Sequence, residues 1–222
     1  MIRNFNRLLN SRKYIRNYSY FEKPKIQDDI AIINLNGPEK MNVLNKSLFS
    51  EAKDLFDNHI FNNNNIKGIV FISSKKDNFI AGADINMLKN IKSKKEVIEI
   101  TNEGNKFFNK LRDKNIPLIS AINGSCMGGG LEWAMYCDYR IATNNKKTLF
   151  SLPEVKLGLL PGMGGTYNLP KLVGLTNTLD LILTGKSIKS DKAKKIGLID
   201  NIVDDYELEG EAIAKATQLA FK

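Results

Sequence analysis

The chain has 222 residues, 42% of them hydrophobic and 26% charged, with a formal net charge of +9. That is enough to bury one substantial core in a single domain, and no apolar run approaches the roughly 18 residues of a membrane-spanning helix. Cys126 and Cys137, the only cysteines, are too few for a disulfide scaffold and lack the partners of a structural zinc site.

The charge is uneven. Residues 1–21 hold Arg3, Arg7, Arg12, Lys13 and Arg16, no acid, and interspersed Ile2, Phe5, Leu8, Leu9 and Ile15. An Arg-rich, acid-free amphipathic start reads as a mitochondrial transit peptide rather than a secretory signal, with a disordered basic arm as the alternative. Without those five positive charges +4 remains, acids and bases mixed. No basic stripe or aromatic platform points to nucleic acid.

From residue 22 onward strands and helices alternate, which implies a single α/β domain with helices covering a sheet. Ile26–Leu35 reads as a strand closed by Asn36-Gly37-Pro38, and Asn45–His59 as a helix with Leu48, Ala52, Leu55 and Phe56 on one face. His59, the sole histidine, falls at its exposed end, so a Ser–His triad has no natural base. Lys67–Ser73 is a second strand, Asn78–Asp84 a tight loop or strand edge, Lys94–Leu111 a long helix and Pro117–Ile122 a third strand. A glycine turn leads into a helix over Leu131–Cys137, then a strand over Tyr139–Ala142 and an extended piece over Leu149–Pro153. Helices follow a second glycine turn, through Leu172, over Thr176–Leu183 and over Ser190–Lys195. A last strand, Gly197–Val203, and a closing helix, Glu207–Leu219, complete the domain.

The chemistry concentrates in Asn123-Gly124-Ser125-Cys126-Met127-Gly128-Gly129-Gly130-Leu131-Glu132. Successive glycines at a helix start leave backbone N–H groups uncovered where the helix dipole also favours an anion. Ala81-Gly82-Ala83-Asp84 is a second tight segment after a strand. One N–H from each, those of Ala83 and Gly129, would make an oxyanion hole; the competing reading is close helix–strand packing. Glu132 sits between Leu131 and Trp133, and Glu154 among apolar neighbours at Pro153-Glu154-Val155. Two carboxylates converging on one pocket can divide acid and base roles because burial and repulsion separate their pKa values. Surface positions or an ion pair with Lys156 are the alternative. The glycines fit neither G-x-G-x-x-G nor a P-loop, and the acids are too dispersed for a metal cluster.

These motifs, in order, resemble the enoyl-CoA hydratase/isomerase (crotonase) family. The likeness is strongest to the branch holding the hydratase part of the mitochondrial trifunctional enzyme alpha subunit. It extends through Cys137-Asp138-Tyr139-Arg140-Ile141-Ala142, Pro153-Glu154-Val155-Lys156-Leu157-Gly158, Pro161-Gly162-Met163-Gly164-Gly165-Thr166 and Leu183-Thr184-Gly185-Lys186. The resemblance implies a crotonase-like ββα superhelix, short at its C-terminus because family hydratases continue into helices that close the acyl pocket. It implies catalytic Glu132 and Glu154, an oxyanion hole at Ala83 and Gly129, and coenzyme A along Ala81, Gly82, Ala83 and Asp84. The expected reaction is hydration of trans-2-enoyl-CoA to L-3-hydroxyacyl-CoA in fatty acid β-oxidation in the mitochondrial matrix. No cofactor or metal is expected beyond the coenzyme A of the substrate. Partners would be further copies of the chain or a thiolase-type subunit. The alternatives are an isomerase, or a non-catalytic acyl-CoA-binding or scaffold protein.

Overall fold

The structure, a computed structural model, describes residues 19–221; most of the expected leader, residues 1–18, lies outside the described residues. A hairpin opens the fold. Strands β1 (Lys25–Gln27) and β2 (Ile30–Leu35) pair antiparallel around Asp28 and Asp29, whose φ angles are 49° and 64°. Two successive left-handed residues give the tight turn whose twist matches the flanking strands. The single strand expected over Ile26–Leu35 is therefore two.

Helix α1 (Lys46–Leu55) is capped by the Asn45 side chain and runs into a π-helical turn, Phe56–Ile60, where His59 is exposed. Strand β3 (Gly68–Ser73), the short β4 (Asn78–Ile80), helix α2 (Ile85–Lys89), the long helix α3 (Lys94–Asp113) and strand β5 (Leu118–Ile122) follow. Then come β6 (Ser125–Met127), α4 (Gly129–Tyr136), β7 (Tyr139–Thr143), β8 (Leu149–Ser151) and a 3-10 turn over Pro153–Leu157. Helix α5 (Gly165–Thr184), β9 (Ile188–Lys189), α6 (Ser190–Lys195), β10 (Asn201–Val203) and α7 (Leu208–Ala220) complete the order. The two helices expected on either side of Leu172–Thr176 are the halves of α5, bent at Gly174 (φ 73°, ψ 168°).

Two sheets result. The larger has order β1-β2-β3-β5-β7-β10 and is parallel from β2 onward; the smaller has order β4-β6-β8-β9. Strands β2, β3 and β5 are buried along their whole length because both faces of the larger sheet are covered. Ile30, Ile32, Val70, Ile72 and Ile119 pack under Leu208, Ala212 and Ala216 of α7. The alternate residues Ile33, Leu35, Ile69 and Phe71 join the main core with α1, α3 and α4. Trp133 of α4 stands edge-on to Phe71 and Phe108 at 5.2 and 5.1 Å between ring centroids. The fold is thus mixed α/β, as the alternating pattern implies.

The last expected leader residues belong to this core. Phe21 is buried and bridges to Leu35. The Glu51 carboxylate accepts the backbone N–H groups of Ser19, Tyr20 and Phe21 at 2.9, 2.7 and 3.1 Å. The folded unit accordingly includes Ser19–Phe21, ahead of the residue 22 at which sequence pattern alone starts it.

Candidate active site

Parallel register gathers the site. Ile80 of β4 pairs with Cys126 of β6, and Met127 of β6 pairs with Ser151 of β8. All three strands run the same way, so the segments leaving their C-terminal ends, with Ala83, Gly129 and Glu154, emerge side by side. Crevices at the carboxyl ends of parallel strands are where α/β proteins hold ligands.

The loop after β4 is pinned from one side. Ala81 N–H donates to the Asn42 carbonyl (2.8 Å), Leu44 N–H to the Gly82 carbonyl (2.8 Å) and Asp84 N–H to the Leu44 carbonyl (2.9 Å). Backbone groups alternate along an extended segment. The N–H of Ala83 therefore faces away from Leu44, and it meets no acceptor among the described residues. Asn42 holds this bracing strand in place. Its side chain donates to Ser73 Oγ (2.9 Å) and to the Phe79 carbonyl (3.0 Å) and accepts the Gly37 N–H (2.9 Å).

The loop after β6 is glycine for physical reasons. Gly128 sits at φ 52° and donates its N–H to the Ser151 carbonyl at 2.8 Å. A Cβ there would lie 3.0 Å from Glu154 Oε1. A Cβ on Gly130 would lie 2.3 Å from the Ile80 carbonyl oxygen, so a side chain would part α4 from β4. Gly129 begins α4, and its N–H, one of the helix's unpaired first donors, has no acceptor among the described residues. The Cβ position of Gly82 is 3.2 Å from the Met127 carbonyl oxygen, so the two loops lie against each other. The two expected oxyanion donors are thus both unengaged, on adjoining loops.

Glu132 lies one turn into α4 and is 2% exposed. Its Oε1 accepts the N–H groups of Met163 (2.7 Å) and Gly165 (2.8 Å). Burial pushes its pKa up; the N–H groups of Gly165, Met163 and Gly162 pull the other way by favouring the carboxylate. Glu154, in the 3-10 turn, has a buried Oε2 without a partner among the described residues. Burial above all, with the nearby Glu132 charge, raises its pKa to about 7 against the pull of its own backbone N–H. Both carboxyls are therefore pushed towards their protonated forms, Glu132 against the pull of three amides and Glu154 far enough to carry a proton at neutral pH.

Sequence pattern gave no role to the second glycine turn, whose Met163 and Gly165 amides hold Glu132. Its glycines were the available signal. The brace at Asn42 and Leu44 had none, since residues 42–44 carry no turn or periodicity cue. Of the residues expected along coenzyme A, Gly82 lies at the contact between the two loops, and Ala81 has its N–H engaged by Asn42. The Asp84 carboxylate caps α2, accepting Asn86 N–H at 2.7 Å and Met87 N–H at 3.3 Å. A groove between α1 and α3, lined by Phe49, Phe61 and Phe107 with Lys46, Lys53, Lys106 and Lys110, does not include the carboxylates.

Comparison with known proteins places the family and the fold. The model of the enoyl-CoA hydratase/isomerase family matches residues 25–222. The fold superposes on that of DspI from Pseudomonas aeruginosa with a TM-score of 0.85 and 32% identity, covering 95% of this chain and 84% of that one. An enoyl-CoA hydratase from Thermoplasma volcanium gives 0.82 and 31%, covering 92% and 79% of the two chains. One from Bacillus anthracis gives 0.83 and 28%, covering 91% and 77%. The α/β architecture is therefore crotonase-like.

Proposed function

The chain belongs to the enoyl-CoA hydratase/isomerase family, and we propose that within it this protein is a hydratase, adding water reversibly to trans-2-enoyl-CoA to give L-3-hydroxyacyl-CoA. What carries the reading is the division between the acids: Glu132 anchored by two main-chain amides, Glu154 with a free buried oxygen and a pKa near 7.

In this reading the thioester carbonyl oxygen lies between the N–H groups of Ala83 and Gly129, and the coenzyme A moiety follows residues 81–84. Water held between the carboxylates attacks C3 as Glu132 takes one of its protons. The electron pair of the C2–C3 double bond moves into the thioester, where the two amides stabilise the enolate oxygen. Glu154 then protonates C2, and proton exchange restores both acids. Oxyanion donors in such sites contribute roughly 3 kcal/mol each to lowering the barrier. Glu132→Gln and Glu154→Gln should each lower hydration of crotonyl-CoA by at least about a hundredfold, followed as loss of enoyl absorbance. Unchanged turnover in either variant would overturn the assignment and favour a non-catalytic acyl-CoA-binding role.

The motif likeness to the hydratase part of the trifunctional enzyme and the basic residues 1–21 support a place in fatty acid β-oxidation in the mitochondrial matrix. Leu175, Leu179 and Leu183 form an exposed row at helical spacing along α5, and Leu160 is 70% exposed nearby in sequence. That apolar surface supports assembly with copies of the chain or with a thiolase-type subunit. Protein recovered from mitochondria answers both points, through its N-terminal residue and the mass of its native complex. An unprocessed, non-mitochondrial monomer would refute them.

A further inference from the structure

Met163 occupies an unusual position for a residue whose backbone serves the chemistry. Its N–H holds Glu132, and its side chain reaches across the fold from α4 to α3. A Cβ placed on Gly129, the oxyanion-hole residue, would lie 2.7 Å from Met163 Cε; one on Gly104 of α3 would lie 2.5 Å from Met163 Sδ. The thioether fits because both flanking positions are glycine. Leu44 closes the same spot at Gly129 (Cδ1 2.8 Å), and Phe49 closes it at Gly104 (Cζ 3.5 Å). Phe49 also lines the groove of about 590 Å³ between α1 and α3, with Phe107 and Phe61. Met163 and Phe49 both lie against Gly104, with the reacting end of the site on the Met163 side and, on the Phe49 side, a groove whose aromatic floor is rimmed by Lys46, Lys53, Lys106 and Lys110.

We propose that Met163 is the residue that sets acyl chain length. The inference rests on the acyl-CoA reading of the site: with the carbonyl oxygen at Ala83 and Gly129 and C3 between the acids, the carbons beyond C3 meet the Met163 thioether. With that side chain in place the cleft ends there, and short enoyl groups are preferred. Longer chains enter only when the thioether turns aside, and they then run into the groove along Phe49 and Phe107. Methionine suits such a position, since it is unbranched, has three side-chain torsions and repacks at low cost. Shortening it opens the passage permanently. Each methylene that gains full burial is then expected to improve affinity about fourfold.

Binding of saturated thioesters tests this without relying on turnover. Butanoyl-CoA and decanoyl-CoA are titrated calorimetrically into the wild-type chain, Met163→Ala and Met163→Val, all of which keep the amide that holds Glu132. The ratio of decanoyl to butanoyl affinity should rise at least tenfold in Met163→Ala and by less in Met163→Val. The kcat/KM ratio for 2-decenoyl-CoA over crotonyl-CoA should follow it. If either variant folds and its affinity ratio stays at the wild-type value, the gate is refuted, because loosened packing alone would weaken both ligands alike. If the wild-type chain binds neither thioester, the acyl-CoA reading beneath the proposal fails instead.

Discussion

Replacing Glu154 by glutamine should stabilise the protein in alkaline solution while removing the proposed hydration activity. Burial and the neighbouring Glu132 raise the Glu154 pKa from 4.5 to about 7. A carboxyl raised in the folded state binds its proton more tightly there than in the unfolded chain. Stability is therefore unaffected below about pH 4.5, falls as pH rises through the window from 4.5 to 7, and stays reduced above it. Each tenfold change in proton affinity corresponds to about 1.4 kcal/mol, so the full penalty is about 3 kcal/mol, less where solvent reaches the carboxyl. Glutamine has nearly the same shape and no charge to desolvate, and it escapes the penalty. For a domain of this size 1 kcal/mol moves Tm by about 2–4 °C, so the variant should melt about 6–12 °C higher than wild type at pH 8. At pH 4.5 the two should nearly coincide. Urea unfolding of both proteins across that range measures the difference directly. A gap that stays constant with pH would show that Glu154 is not a buried acid with a raised pKa, and the case for it as proton donor would go with it. A stability cost kept at Glu154 is what its proposed role as an acid would require.

The same acids fix the pH dependence of turnover. kcat/KM for crotonyl-CoA should fall above about pH 7 as Glu154 loses its proton, and fall again in acid as Glu132, itself raised by burial, gains one. The residual turnover of Glu154→Gln should lack the alkaline limb; a profile identical to wild type would contradict the roles. At the other end of the molecule, a chain beginning at Glu22 should be about 3–5 kcal/mol less stable than one beginning at Ser19, because it loses the buried Phe21 ring and the three amides on Glu51. Equal denaturation midpoints would show that Ser19–Phe21 contribute nothing to the core.

Why the amide–carboxylate constellation was readable in the chain, and its supports were not, follows from how each is encoded. Gly128–Gly130 and Glu132 are contiguous, and a glycine run before an acid flanked by Leu131 and Trp133 has few structural uses. Strands β2, β3 and β5 announce themselves as unbroken apolar runs because both sheet faces are covered. Strand β6 has no such mark. Three residues are too few for any periodicity, so Ser125–Met127 reads as part of the turn. Yet β6 does the decisive positioning, since its parallel pairing with both β4 and β8 sets Ala83, Gly129 and Glu154 beside one another. Likewise Asp84 presents as a loop acid until the short α2 behind it shows a cap, and Asn42 gives no hint of the hydrogen bonds it organises. The residues proposed to react stand out by composition because chemistry restricts which types can serve. Those that hold them are not, because a backbone amide can come from any residue other than proline, and Met163 and Gly165 were supplied by register and turn geometry rather than by side-chain identity. Met163 stands apart from Gly165 in this: its amide is generic, but its side chain is a choice, and the proposed chain-length role rests on that choice.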